Sequence, residues 1–135
     1  MTWLLDINCL VALIWPSHAD NATVSNWRKG KKLAVCPLTE LGFLRVSCSP
    51  ALGASMEDAR KALQDFIRDE SPAFLPADAS ALAGQPAPHW RKTTDWYLVN
   101  LAAAHGCKLA TLDTGITHPA VDLISEHPAG QAAAG

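Results

Sequence analysis

Two short apolar runs, one at each end of the chain, stop on an aspartate: Trp3-Leu4-Leu5-Asp6 and Lys108-Leu109-Ala110-Thr111-Leu112-Asp113. Runs of this length bounded by polar residues read as buried strands. A carboxylate at the end of a buried strand is costly unless it is hydrogen-bonded, paired or bound to a cation. Both runs border helical patterns, so the chain is constrained to strands alternating with helices. That order gives a layered α/β fold whose central sheet is mostly parallel. In such sheets functional groups gather beyond the carboxyl ends of the strands, where Asp6 and Asp113 are expected.

The remaining segments fit the same alternation. Asn8 is placed to cap a helix carrying Leu10, Val11, Leu13 and Ile14, which Pro16 stops. Residues 20–29 read as a second helix closed by Gly30. Residues 32–36 form a strand cut off by Pro37, after which Thr39 is expected to cap a helix holding Glu40, Leu41, Phe43 and Leu44. A loop over 47–55 leads to a helix over about 56–68, and Phe74-Leu75 is a short strand. The Pro/Ala-rich stretch 76–88 carries little periodic signal. Thr93 or Thr94 is expected to cap a helix over 95–105 that ends at Gly106, and residues 121–124 form a last strand. With 135 residues and no internal repeat, one domain is expected over residues 1–127, followed by a flexible tail over 128–135.

Composition excludes several classes. At 49% hydrophobic and 18% charged residues the chain is globular, and no apolar run approaches the roughly 20 residues of a membrane span. The first residues lack the basic segment of a secretory signal. The four cysteines form no C-x-x-C pair and no zinc spacing, so free thiols in a reducing cytoplasm are expected. A net charge of −2 excludes a domain that holds nucleic acid by overall positive charge. An RNA-directed protein of this composition needs uneven charge or bound cations.

Glu40 and Asp95 fall in the first turns of helices, where an acid also serves as an ordinary dipole partner. Asp6 has its own structural alternative, a hydrogen bond to the amides of the next helix. If all four acids converge, their repulsion demands cations. Oxygen donors without Cys or His select magnesium, with manganese as a substitute. Two such ions about 4 Å apart activate a water and steady a leaving oxygen in phosphodiester cleavage.

The segments Leu4-Leu5-Asp6-Ile7-Asn8, Pro37-Leu38-Thr39-Glu40-Leu41-Gly42-Phe43-Leu44-Arg45-Val46, Thr94-Asp95-Trp96-Tyr97-Leu98-Val99-Asn100-Leu101-Ala102 and Gly106-Cys107-Lys108-Leu109-Ala110-Thr111-Leu112-Asp113 resemble PIN-domain motifs. In series, over residues 3 to about 116, they are similar to the VapC-type ribonuclease toxins of bacterial toxin–antitoxin (VapBC) pairs. The resemblance implies a three-layer α/β/α domain and a magnesium-dependent endoribonuclease that inhibits translation by cutting tRNA or ribosomal RNA. It implies Asp6, Glu40, Asp95 and Asp113 as the catalytic and metal-binding acids, with Asn8 in support. It further implies a cognate VapB-like antitoxin, a homodimer and a toxin–antitoxin hetero-oligomer. Some relatives carry a further acid after the fourth. Thr114 to Thr117 supply none, which leaves one metal ion or two open.

Arg91 and Lys92, just before Asp95, are placed to meet RNA backbone. The basic run Arg28, Lys29, Lys31 and Lys32 reads as a solvated helix end, and Arg45 as a salt-bridge partner of Glu40. Trp90 and Trp96 flank the acids, with core or interface packing expected ahead of base stacking. No histidine has a partner at catalytic spacing, which disfavours metal-free acid–base cleavage. Two rivals stand beside the nuclease: phosphotransfer through an aspartyl nucleophile at Asp6, and a PIN-fold binding module without activity.

Overall fold

A computed structural model describes residues 1–125; the end of the expected domain and the expected tail over 128–135 lie outside the described residues. Five strands form one sheet in the order β3-β2-β1-β4-β5, where β1 is Thr2–Leu5, β2 Lys32–Val35, β3 Ala73–Phe74, β4 Lys108–Thr111 and β5 Val121–Leu123. Every pairing is parallel. The helices are α1 (Ile7–Ile14), α2 (Asn21–Trp27), α3 (Pro37–Ser47), α4 (Met56–Glu70) and α5 (Thr93–Ala104), with a 3-10 turn at Trp90–Lys92 leading into α5.

The period-2 alternation of the strands divides the core in two. Leu5, Leu33, Val35 and Ala110 pack with Leu10, Val11, Phe43, Leu63 and Phe66 on the side of α1, α3 and α4. Leu4, Ala34 and Leu109 face the other way, onto Leu98, Val99, Leu101 and Ala102 of α5. The register places Leu4 beside both Ala34 and Leu109, so the alternation runs in step across the three central strands. The result is the expected three-layer α/β/α sandwich.

The chain leaves β1 toward β2 on one side and returns to β4 on the other. That reversal puts a crevice between the carboxyl ends of β1 and β4. Asp6 is fixed there by its amide, which donates to the Ala110 carbonyl at 2.9 Å and extends the ladder by one residue.

Three expected caps are corrected by the backbone. Asp6, not Asn8, is the cap of α1, its carboxylate accepting from the Ile7 amide at 2.7 Å; Asn8 lies inside the first turn and is exposed. Helix α3 begins at Pro37, whose fixed φ and missing N–H suit the first helical position. Thr39 sits two residues further in, fully buried, and its hydroxyl bonds the Cys36 amide and carbonyl. Helix α5 starts at Thr93, two residues before the expected position, continuing out of the 3-10 turn with Lys92 as its cap residue. Stretch 76–88 holds no helix or strand but is tied to α5: the Asn100 amide bonds both ways with Gln85, and the Tyr97 hydroxyl donates to the Ala79 carbonyl.

Candidate active site

Three of the four acids meet at the crevice. Asp6 closes β1, Asp113 stands two residues beyond β4, and Asp95 occupies the first turn of α5. Helix α5 runs back against the strands, so its amino end lies at their carboxyl edge. Asp6 is only 4% exposed. One of its oxygens accepts from the Ile7 amide and the other from the Thr111 hydroxyl at 2.8 Å. Burial nevertheless raises its carboxyl above the ordinary value, overriding those two bonds, and Asp113 adds to the rise. Burial likewise raises Asp95, with Asp6 the strongest charged contributor.

Asp113 behaves in the opposite sense. The Lys92 ammonium lies 2.7 Å from its Oδ2, and the Gly115 amide donates to its Oδ1 at 2.8 Å. The hydrogen bond from Lys92 leads in holding Asp113 below the ordinary value. The same ammonium is 4.0 Å from Asp95, and Asp113, Asp95 and Asp6 all act to keep it charged. A cation from the chain itself therefore stands among the three acids. Among the described residues no three His, Cys, Asp or Glu side chains come close enough together to hold a metal ion.

Glu40 is placed apart. It starts from the same edge, one strand further out, but its carboxyl borders a groove between α3 and α4 lined by Leu44, Arg60, Leu63 and Gln64. Burial alone raises it, with no charged neighbour contributing. Arg45, expected to pair with Glu40, is exposed and makes no ion pair among the described residues. Asn8 stands next to the site in sequence, and its exposed amide makes no hydrogen bond among the described residues.

Thr111 is the residue that sequence reasoning missed. It is fully buried, donates to Asp6, and accepts from the Asp113 amide at 3.0 Å, so one hydroxyl links both strand-end acids. A threonine as the last residue of the strand, two before Asp113, was the available signal. Lys92 was read as an RNA contact and is instead held by Asp113. Arg91 remains beside the site with its guanidinium 5.0 Å from the Trp90 ring centre. Trp90, expected to be packed, is 77% exposed, whereas Trp96 is half-buried against His118.

The other basic cluster is structural, as expected. Arg28 pairs with Glu70 at 2.8 Å, Lys31 lies over the Trp27 and Trp3 rings, and Lys32 bonds the Ser71 carbonyl. Lys32 begins β2, so this cluster borders the edge of the sheet opposite the acids. All four cysteines are free. One histidine pairing was not foreseen, His105 with Asp78 at 2.9 Å. It sits at the far end of α5, ten residues from Asp95, or about 15 Å along the helix.

A parallel sheet in this order, with acids gathered at the β1/β4 crevice and helices on both faces, defines the PIN-domain class. No protein-family model matches the chain. Three curated ribonucleases of Mycobacterium tuberculosis (strain ATCC 25618 / H37Rv) are similar to it. VapC38 is 38% identical over 122 residues, covering 84% of this chain and 86% of its own length. VapC29 is 36% identical over 124 residues, covering 87% and 90%. VapC39 is 32% identical over 134 residues, covering 89% and 94%. The chain belongs to the VapC ribonuclease family. A crystal structure of VapBC2 from Rickettsia felis, bound to a DNA fragment from their promoter, shares the fold with a TM-score of 0.61. It is 16% identical in sequence and covers 91% of this chain and 97% of its own. No helix among the described residues is long and apolar enough to cross a membrane.

Proposed function

We propose that this protein is a magnesium-dependent endoribonuclease toxin that cuts tRNA or ribosomal RNA, stops translation in the cytoplasm and is neutralised by a VapB-like antitoxin. The curated relatives are named ribonucleases, which supports RNA as substrate. The solved neighbour is a complex of VapB with VapC, which supports an antitoxin partner. A homodimer that joins antitoxin in a hetero-oligomer belongs to the same proposal.

The observation that carries the chemistry is the meeting of Asp6, Asp95 and Asp113 around one ammonium. All donors are hard oxygens, and two of the three acids are left without a close cation. That donor set fits magnesium or manganese. Asp6, Asp95 and Asp113 would hold the ion, and Glu40 would join them only by a movement of α3 or through water. When bound, such an ion supplies an activated water and stabilises charge on the phosphate. The chain's own part is to fix the acids: Thr111 and the Ile7 amide orient Asp6, and Lys92 and the Gly115 amide orient Asp113. Arg91 borders the crevice to meet backbone phosphate, and the exposed Trp90 ring offers a face to an unpaired base. With both oxygens of Asp6 engaged and its side chain buried, in-line attack on a phosphate is poorly served, so phosphotransfer through Asp6 is not favoured.

RNA end-mapping after induced expression tests the proposal. New 5′ ends at a small set of sites in tRNA or ribosomal RNA, absent with Asp95→Ala and suppressed by chelator in the purified reaction, are expected. Trp90→Ala should weaken binding of a single-stranded oligonucleotide by about tenfold, in line with the loss of one stacked base. Uncut total RNA with magnesium present, together with growth inhibition that survives Asp6→Asn, would end the nuclease proposal.

A further inference from the structure

Lys92 is anchored in a way that a casual surface contact is not. Its ammonium is 2.7 Å from Asp113 and 4.0 Å from Asp95. Its backbone is set by the 3-10 turn, where the Lys92 amide donates to the His89 carbonyl at 3.0 Å, and α5 follows at once. Asp113 is saturated from both sides, with Oδ2 on Lys92 and Oδ1 on the Gly115 amide. Gly115 also keeps room for the ammonium. A Cβ there would stand 3.2 Å from Asp113 Oδ1 and 3.4 Å from Lys92 Nζ, tighter than ordinary contact.

Charge counting gives this arrangement a consequence. Three ionised carboxylates with one ammonium leave two negative charges, which a single divalent ion neutralises. A second divalent ion would need Asp113 stripped of Lys92, or a further acid nearby. Residues 114–117 (Thr-Gly-Ile-Thr) supply no acid. Asp6 and Asp95 remain as the pair without a close cation of their own.

We propose that Lys92 is the built-in second cation of this site, so that the protein takes one divalent ion beside Asp6 and Asp95 while Lys92 stays on Asp113. The positive charge that a second metal brings to phosphodiester cleavage is then carried by an ammonium from the chain. The inference rests on the metal-dependent reading above, and metal counting separates the two.

Titration of the purified full-length chain with Mn2+ near neutral pH, followed by calorimetry and by paramagnetic resonance of free ion, is the test. One Mn2+ per chain is expected. Lys92→Gln, with folding checked by circular dichroism, should bind the first ion at least about tenfold more tightly and admit a second, because a nearby positive charge has been removed. Lys92→Arg should keep a single ion. Two ions on the unaltered chain, or an isotherm unchanged by Lys92→Gln, overturn the inference while leaving a metal-dependent nuclease intact. A chain that binds no Mn2+ at all overturns both.

Discussion

Burial and the neighbouring Asp113 make ionised Asp6 costly in the folded chain, even with two hydrogen bonds to its oxygens. Its folded pKa is raised, so the native state holds the proton more readily than the unfolded one. The penalty is absent below the ordinary value of about 3.9 and complete above the raised one, so stability falls as pH climbs between them. Asp113 works in reverse: pairing with Lys92 stabilises the fold above the ordinary value, and that contribution is lost as pH drops through the lowered one. Asp6→Asn should therefore raise the melting temperature near about pH 7 in the presence of chelator, and change it little near about pH 3. It should also abolish RNA cleavage. Parallel melts of the two proteins check this; a variant that melts lower at neutral pH contradicts it. Such a trade between stability and activity is common where function needs a strained charge.

Helices α1 and α3 approach closely at Gly42, where an added Cβ would collide with the Ile7 side chain. Ile7 is β-branched and stiff, and its neighbour Asp6 is pinned, so the clash has little room to relax. Gly42→Ala should cost about 1–3 kcal/mol by overpacking, read from urea denaturation. It should also disturb Asp6 through α1, lowering cleavage more than a surface change such as Arg60→Ala.

The strands and helices around this contact were readable, because short apolar runs and helical spacing depend on local residue order. The starts of the helices were not. Asn8, Thr39 and Thr93 or Thr94 are good capping residues by type, but the backbone leaves each strand or turn earlier, at Asp6, Cys36 and Lys92. Strand ends placed Asp6 and Asp113 in the crevice correctly. The pairing of Lys92 with Asp113 spans 21 residues of helix and strand, and depends on how α5 lies on the sheet. Glu40 escaped for the same reason, since its side of the sheet is set by packing of α3 on α1 and α4.

At the scale of the molecule, β1 lies at the centre of the sheet and needs a partner on each side. Its partners come from opposite ends of the chain. A chain stopped after Gly106 lacks β4 and β5, and so removes the Ala110 carbonyl and the Thr111 hydroxyl that hold Asp6. It should show no cooperative melting by circular dichroism; a sharp transition would contradict the central role given to β4. The edges of the sheet are guarded differently. The two-residue β3 is bracketed by Pro72 and Pro76, which discourages added strands. Self-association is thus directed to the helical faces.

The hydrogen bond between Thr111 and Asp6 joins positions 105 residues apart. During synthesis Asp6 emerges first, while Lys92, Thr111 and Asp113 are among the later residues to leave the ribosome. Until then the crevice has one wall and no resident ammonium. A nuclease assembled in this order stays silent through most of its own translation, and a message broken before its last third yields only inert fragments.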